Sequence, residues 1–574
     1  MSPSPSAALR AARSGRRLRG VMIAYLLITL ALGWRLIDIQ VRSAGHYRDM
    51  ARRQTERDLE LPAERGKLYD RTGQPLAVSL PTATIVANPR QLADAEPKVD
   101  RAVLASKLAT VLHIDANDIE AKLRLQKGFV YLARQQDREI GKTVAGMNLP
   151  GVQVIDEPRR QYPAGALAAQ VVGFAGTDHK GLSGLEGKYD ALLAGQAGRM
   201  VEQRAPQGLK ISSAPRVGEP PIAGTDLVLT LDREIQATME RLLVDAVKNY
   251  KAQAASAVVL DVHTGEILAM AGKTADNARR NTVVTDTFEP GSVNKLITAA
   301  AALEEGVIHA GEPMDIGSSY HIGGKTFSDD HSPERGTLGD IIEMSSNVGT
   351  IKLAERLGPD RLYDYLRRFG YGQATALTFP GEADGMLAEP SEWSGTSLPT
   401  IAIGQGVSAS LLQVAQAYAT VARGGIYRDP VLVRGSIDSD GDLAPAAVGT
   451  GRRVISERSA RLLSKMLVRV VTDGTGTKAA VEGYDVAGKT GTAQKPGKGG
   501  YEPGAYVGSF VGFAPAKRPE VVVAVSVDEP RKGSYYGAET AGPVFSELLR
   551  FVLGHRRVPP TDTGAVGGSA EPQV

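Results

Sequence analysis

The sequence predicts an α/β protein hung from a single N-terminal transmembrane helix. An α+β module follows the helix, and then a larger domain in which an antiparallel sheet carries helices. Three observations lead there. An uncharged apolar run sits directly behind a block of arginines near the N-terminus. A stretch rich in Pro, Gly and Ser at residues 212–224 divides the rest of the chain. Strand-like runs stand at both ends of the second part with helical stretches between them, the pattern of a sheet covered by helices.

The composition supports several domains with sizeable cores: 574 residues, 42% hydrophobic and 23% charged. The formal net charge of +3 gives no argument for a nucleic-acid partner. There are no cysteines, which excludes disulfides, thiolate metal sites and a cysteine nucleophile.

Residues 21–34 (VMIAYLLITLALGW) are uncharged, and apolar character continues to Val41, interrupted only by Arg35 and Asp38. A membrane-spanning helix needs about 20 mostly apolar residues. Arg10, Arg13, Arg16, Arg17 and Arg19 precede the run, and no acidic residue does. This asymmetry predicts a cytoplasmic tail at 1–20, an anchor at 21–41 and export of everything after it. A cleaved signal peptide and a buried core helix are the alternatives. The first lacks a clear small-x-small cleavage site, and the second does not account for the arginine block.

Residues 42–60 are polar and charged and read as a stalk helix. Residues 61–211 mix strand-like runs at 82–87 and 151–155 with a helical stretch at 101–112. The expected domain boundaries are 42–224 for the α+β module, 225–556 for the large domain and 557–574 for a disordered tail. In the large domain, residues 227–231 read as a strand and Asp232 as the N-cap of a helix. Residues 257–262 and 266–270 flank Thr264-Gly265, a hairpin signal. Residues 506–513 and 520–527 read as two adjacent strands.

Three short motifs in that domain carry chemistry. Ser292 opens a helix after Pro290-Gly291, and Lys295 stands one turn later on the same face. A serine hydroxyl needs an adjacent base to act as a nucleophile. A lysine on an otherwise apolar helix is partly desolvated, which lowers its pKa and fits it for that task. Ser345-Ser346-Asn347 follows a helical stretch and can project a hydroxyl and a carboxamide into one cleft; alone it reads as a helix cap. Lys489-Thr490-Gly491-Thr492 reads as an edge strand that can receive an extended peptide. Gly491 removes a side chain where a substrate backbone must come close. Each motif alone is weak. Together, in the order S-x-x-K, S-x-N, K-T-G-T, they form the signature of the penicillin-binding and serine β-lactamase superfamily.

From about residue 20 to residue 556 the chain resembles class B penicillin-binding proteins, specifically the division-specific septal transpeptidases. Arg65 to Gly73 (RGKLYDRTG) with Leu76-Ala77 resembles the first motif of the family's pedestal domain, and Arg159 to Tyr162 with Gly184 to Tyr189 resembles the second. Arg65, Asp70 and Arg71 are expected to pair within that module. The resemblance implies a pedestal domain and a penicillin-binding, serine β-lactamase-like transpeptidase domain.

It also implies roles. Ser292 attacks the carbonyl between the terminal D-alanines of a peptidoglycan stem peptide, and Lys295 accepts its proton. Ser345 and Asn347 relay protons and orient the donor amide. Lys489, Thr490 and Thr492 hold the terminal carboxylate. The N–H groups of Ser292 and Thr492 form the oxyanion hole. An acceptor amine resolves the acyl-enzyme, and β-lactams inhibit. No metal or organic cofactor is implied, and no nucleic acid. The implied protein partners are a membrane-embedded septal glycosyltransferase and other division proteins, and the implied place is the inner membrane at the septum.

Leu296, Ser410-Leu411 and a short 271–286 stretch depart from the family pattern and put the loop geometry near the cleft in question. Tyr535-Tyr536-Gly537 is a candidate substrate wall, with core packing as the alternative. Asp329-Asp330-His331 suggests a metal site at first sight, but it lacks a second ligand cluster and reads as a solvated loop. Competing functions are an elongation-type transpeptidase, a β-lactamase or β-lactam sensor, and a non-catalytic division scaffold. Asn347 followed by Val348-Gly349 favours the septal form over the elongation form, which typically carries aspartate at that position. No Glu-x-x-Leu-Asn stretch lies between Asn347 and Lys489, which disfavours the hydrolase.

Overall fold

The computed structural model describes residues 5–93, 98–203, 217–329, 333–447, 449–497 and 499–561. The chain divides into two compact units. One contains Met1–Ala63, Pro81–Pro158 and Gln196–Ile222; the other contains Glu64–Leu80, Arg159–Gly195 and Ala223–Val574. Segments 64–80 and 159–195, which the sequence reading assigns to the 42–224 module, thus belong to the second unit. Residues 212–216 of the expected linker, residues 562–574 of the expected tail, and Asp330 and His331 lie outside the described residues.

In the first unit, the helix Pro5–Ile37 carries the apolar run. The stretch Arg17–Arg42 has mean hydropathy 1.9 and is wholly unburied. A helix of that length and composition is a membrane-anchor candidate. The expected stalk helix covers only Ala44–Thr55; the chain then becomes the strand Glu56–Leu61, paired antiparallel with Gly198–Gln203. That partner is far away in sequence, so the local pattern of residues 56–61 could not reveal it. Further along, Asp100 caps the helix Arg101–Leu112 by accepting from Ala102 N at 2.9 Å. Ile85, Leu108, Ile119 and Leu123 form the centre of this unit's core.

The second unit is built from α1 (Arg233–Tyr250), β1 (Ala254–Asp261), β2 (Ile267–Thr274), α2 (Lys295–Glu304), α3 (Leu338–Glu343), α4 (Asn347–Leu357), α5 (Leu411–Ala422), α6 (Glu457–Thr472), β3 (Ala487–Gly497), β4 (Gly500–Ala514), β5 (Val521–Asp528) and α7 (Gly537–His555), with shorter elements between them. The five strands form one antiparallel sheet in the order β2-β1-β5-β4-β3. It is assembled from both ends of the domain, as expected. Side chains of a strand alternate between faces, and β5 uses both. Val521, Val523, Val525 and Val527 pack with α1 and α7. Val522 and Ala524 face the opposite core, which contains α2 and α5. A central strand covered on both faces therefore reads as a nearly continuous apolar run, VVVAVSV over 521–527.

The two pedestal motifs meet in a buried ion-pair network within this unit. Arg65, 1% exposed, donates through Nε to Glu186 at 2.6 Å and through Nη1 to Asp190 at 2.6 Å. Arg160 Nε reaches the other Glu186 oxygen at 2.7 Å. Tyr162, on the edge of this network, has its phenol pushed up to about 12 by burial and then by Glu186. Asp70 does not pair with Arg65. It holds a turn instead, accepting from Thr72 N and Gln74 N at 2.8 Å each. Arg71 approaches Glu266 at 3.4 Å.

Candidate active site

The sequence around Ser292 folds as it does because of two glycines. Gly291 sits at φ +58°, and a Cβ there would lie 3.2 Å from the Thr492 carbonyl oxygen. Its N–H donates to Gly404 O at 2.9 Å, and a Cβ on Gly404 would lie 2.1 Å from Gly291 O. The turn Gly291–Asn294 is therefore wedged between β3 and the 403–406 loop. It is a 3₁₀ turn, and α2 begins only at Lys295. In 3₁₀ geometry residues three apart eclipse one another, so Ser292 and Lys295 share a side, as the spacing predicted. Ser292 is half-buried and Lys295 fully buried.

Lys295 Nζ donates to Ser345 O at 2.6 Å, to Asn347 Oδ1 at 2.7 Å and to Ser345 Oγ at 3.3 Å. Burial pulls its pKa down to about 7, against the opposing charge of Asp329. Near neutral pH much of this amine is unprotonated and can accept a proton from a hydroxyl.

The second motif divides its labour by position. Ser346 is the N-cap of α4, accepting from Gly349 N at 2.9 Å. Its hydroxyl donates to Asp329 Oδ2 at 2.5 Å, and Asp329 Oδ1 accepts from Asn347 N at 2.6 Å. Ser346 thus fills the capping role, while the Ser345 hydroxyl and the Asn347 carboxamide both face Lys295. Ser345, at φ +59°, stands in the left-handed region that a non-glycine residue rarely adopts. That turn aims its carbonyl and hydroxyl at Lys295, while Asn347 Nδ2 is anchored on Ser328 O at 3.2 Å.

The third motif lies on β3, the edge of the sheet. A Cβ on Gly491 would lie 2.4 Å from Ser509 Oγ and 3.0 Å from Pro290 O. Glycine at this position therefore permits close approach of the strand to the Ser292 turn. Lys489 is buried, and its Nζ is 3.5 Å from Thr490 Oγ1. Burial, and then the charge of Lys295, holds its pKa well below the usual lysine value. Thr490 Oγ1 lies 3.0 Å from Thr475 Oγ1, and Thr492 Oγ1 accepts from Gly537 N at 3.0 Å. All three motifs are joined through these contacts or through the Gly291 turn. Tyr535 and Tyr536 are exposed, with Tyr535 stacked on Tyr506 at 4.2 Å between ring centres, so they are not core residues.

Sequence reasoning missed several residues that shape the site. Glu289, buried three positions before Ser292, accepts from Gly406 N and from Tyr501 OH, each at 2.9 Å. Asn294 Nδ2 donates to Ile401 O at 2.8 Å, and Tyr418 OH to Val293 O at 3.0 Å. The acid beside Pro290-Gly291 was a visible signal; the other two had none. Asp329, read as part of a solvated loop, is a partly buried anion under the N-terminus of α4. Of the departures from the family pattern, Leu296 is buried in the core, and Ser410 caps α5 with Gln413 as its reciprocal partner.

The arrangement joins a half-buried hydroxyl, a buried amine titrating near neutrality and an edge strand with a second buried amine. It can perform acyl transfer through a serine ester. A family model described as "Penicillin binding protein transpeptidase domain" matches residues 255–550, and one described as "Penicillin-binding Protein dimerisation domain" matches residues 60–229. The chain is 36% identical to penicillin-binding protein PbpB of Mycolicibacterium smegmatis, across 96% of this chain and 92% of that one. It is 35% identical to peptidoglycan D,D-transpeptidase FtsI of Escherichia coli, across 87% and 85%. Among solved structures, penicillin binding protein 3 of Mycobacterium tuberculosis complexed with aztreonam is similar at TM-score 0.68 and 30% identity, covering 88% of this chain and 98% of that one.

Proposed function

The chain belongs to the penicillin-binding protein transpeptidase family, and from that premise we propose that it is a class B peptidoglycan D,D-transpeptidase that cross-links stem peptides at the division septum. The observation that carries this reading is the buried amine of Lys295, three residues after Ser292, with a pKa near 7 and its hydrogen bonds directed to Ser345 and Asn347.

In the proposed reaction, neutral Lys295 takes the Ser292 proton as Oγ attacks the carbonyl carbon of the penultimate D-alanine. The N–H groups of Ser292 and Thr492 stabilise the oxyanion. The C–N bond to the last D-alanine breaks, and the leaving nitrogen receives its proton from Lys295 by way of the Ser345 hydroxyl. Asn347 orients the donor amide. Lys489 takes up a positive charge beside the terminal carboxylate, with Thr490 and Thr492 as hydrogen-bond donors and Gly491 allowing the substrate strand to lie close. A second stem peptide's amine then attacks the ester and returns its proton through the same pair, restoring Ser292. Water in place of that amine gives carboxypeptidase activity. A β-lactam acylates Ser292 in the same way.

The transpeptidase chemistry belongs to residues 225–556 and the pedestal to residues 42–224. The helix at the N-terminus holds the enzyme in the inner membrane, with residues 1–20 in the cytoplasm and the catalytic domain in the periplasm. There it works beside a membrane-embedded septal glycosyltransferase and other division proteins. Homology to FtsI and PbpB supports the septal assignment.

The test is to label the full-length protein in membranes with a fluorescent penicillin, digest it and map the adduct by mass spectrometry. The adduct is expected on Ser292. An adduct elsewhere, or stable labelling of Ser292→Ala, overturns the assignment.

A further inference from the structure

Away from the three motifs, a cleft of about 670 Å³ opens between the C-terminal end of α5, one face of α6 and the 516–519 loop. Its floor is apolar, with Val421, Ala422, Ile426, Ala460 and Val468 among the lining residues. Its walls are not. Arg423, Arg453, Arg461, Lys465 and Lys517 line it against only two acids, Glu457 and Asp485. Both acids are already engaged, Glu457 by Arg461 and Asp485 by Lys517 at 3.8 Å. Arg453 spends its bonds on carbonyls, Gly424 O at 3.0 Å and Ile455 O at 3.1 Å. Arg423 donates through Nε to Val262 O and through Nη2 to Asp261 O at 3.4 Å, and its Nη1 is buried without a hydrogen-bond partner among the described residues. Burial, and then the like charge of Arg428, pulls the Arg423 pKa down to about 10. The cleft thus carries five cationic side chains against two acids.

An apolar floor under separated cations is complementary to a ligand with several carboxylates on an apolar scaffold. A small inorganic anion would leave the floor uncovered. A single lipid headgroup would answer one charge of a set spread across α5, α6 and the 516–519 loop. A polypeptide segment alternating acidic and apolar side chains answers both.

The two helices that wall the cleft are also bolted to the motifs. Tyr418, on α5, donates to the carbonyl of Val293, next to Ser292, at 3.0 Å. Arg469, on α6, donates to Asp340 at 2.6 Å and pairs with Glu343; both acids are on α3, which ends just before Ser345. Just beyond α6, Thr475 meets Thr490 at 3.0 Å. A ligand that moves α5 relative to α6 therefore acts on the first and third motifs through direct contacts and on the second through α3.

We propose that this cleft is a regulatory docking site for an acidic, apolar segment of a partner polypeptide, and that its occupancy changes the rate at which Ser292 is acylated. The second clause rests on the function proposed above; the first does not.

The experiment uses the full chain in lipid nanodiscs and a fluorescein-labelled peptide of sequence Asp-Leu-Glu-Phe-Leu-Glu. Its twin carries Asn and Gln in place of the acids. Anisotropy is expected to show saturable binding of the acidic peptide, weakened about tenfold or more in the twin. The same loss is expected in the double variant Lys465→Glu, Lys517→Glu, whose changes are confined to exposed side chains. Saturating peptide is expected to change the penicillin acylation rate about fivefold or more. Absence of binding, or binding indifferent to both charge changes, overturns the site. Displacement of the peptide by dodecanoate at low concentration, with peptide binding that is not saturable alone, assigns the cleft to a lipid and overturns the polypeptide. Saturable binding with unchanged acylation overturns the regulatory clause. A protein that binds peptide but is never acylated counts instead against the Ser292 chemistry.

Discussion

Lys295 Nζ donates to the Asn347 carboxamide oxygen at 2.7 Å across 52 residues of sequence. Together with the Ser345 carbonyl, that contact holds the buried amine beside the Ser292 turn.

Penicillin acylation is expected to rise with pH through about 7 and then level off. In the proposed mechanism the reactive species is the neutral amine, and burial brings its pKa to about 7. At pH 6 the rate is expected to be about tenfold below the plateau. Lys295→Ala is expected to lose the pH-dependent acylation altogether while retaining its fold. A rate independent of pH between 5.5 and 8.5 in stopped-flow acylation would show that another group is the base.

Asp329→Asn separates two effects of one carboxylate. The charge of Asp329 raises the Lys295 pKa, so its removal is expected to shift the acid limb of the acylation profile to lower pH. The carboxylate also accepts from Ser346 Oγ and Asn347 N at the start of α4. Its loss is expected to destabilise the domain by about 1–2 kcal/mol. Calorimetry and the pH profile test the two halves separately; an acid limb that moves upward contradicts the electrostatic half.

Gly491→Ala is expected to slow acylation by about tenfold or more, because the added methyl group must push β3 away from Ser509 or from the Ser292 turn. Ser509→Ala removes the nearest obstructing atom, so the double variant is expected to recover part of the rate. If the double variant is as slow as Gly491→Ala alone, Ser509 is not what the methyl group meets.

Arg65→Ala leaves Glu186, which is fully buried, with Arg160 as its remaining cation. Breaking a buried ion pair by removing one partner costs about 3–5 kcal/mol. Urea denaturation and limited proteolysis are expected to show a loss of that order. A change below about 1 kcal/mol would mean that Arg160 alone suffices.

Depletion of the protein in cells is expected to give filaments with arrested constrictions, with a fluorescent fusion at midcell. Swollen cells with the fusion spread along the side wall would identify an elongation enzyme instead.

Much of the catalytic half was legible because its signals are local. Ser292 and Lys295 are one turn apart, the β1–β2 hairpin surrounds Thr264-Gly265, and β5 announces itself as a valine run. What was not legible depends on partners distant in sequence. Nothing near Asp329 reveals that it sits under the N-terminus of α4, and nothing near residue 56 reveals the strand at 198–203. Arg65 could be recognised as a motif residue, but its partners could not be deduced: Asp70, the acid nearest to it in the motif, is used up in its own turn, and the ion pair forms with Glu186. The same long-range pairing places segments 64–80 and 159–195 in the second unit, which no composition shift marks.

Ser345, Ser346 and Asn347 have three different duties in three successive positions. One is held in a left-handed conformation to face Lys295, one caps a helix, and one fixes the lysine from the other side. A slip of the segment by one would lose all three duties, and exchange of Ser346 would lose the cap; an aspartate in place of Asn347 would keep an acceptor for Lys295 but set a second carboxylate beside Asp329. On the proposed mechanism, a change at these positions that weakens β-lactam acylation is therefore expected to weaken peptide cross-linking as well. Adaptive substitutions in this chain are expected to accumulate around the triplet, in loops such as 403–406 that brace the Ser292 turn, where shape can drift while the chemistry stays fixed.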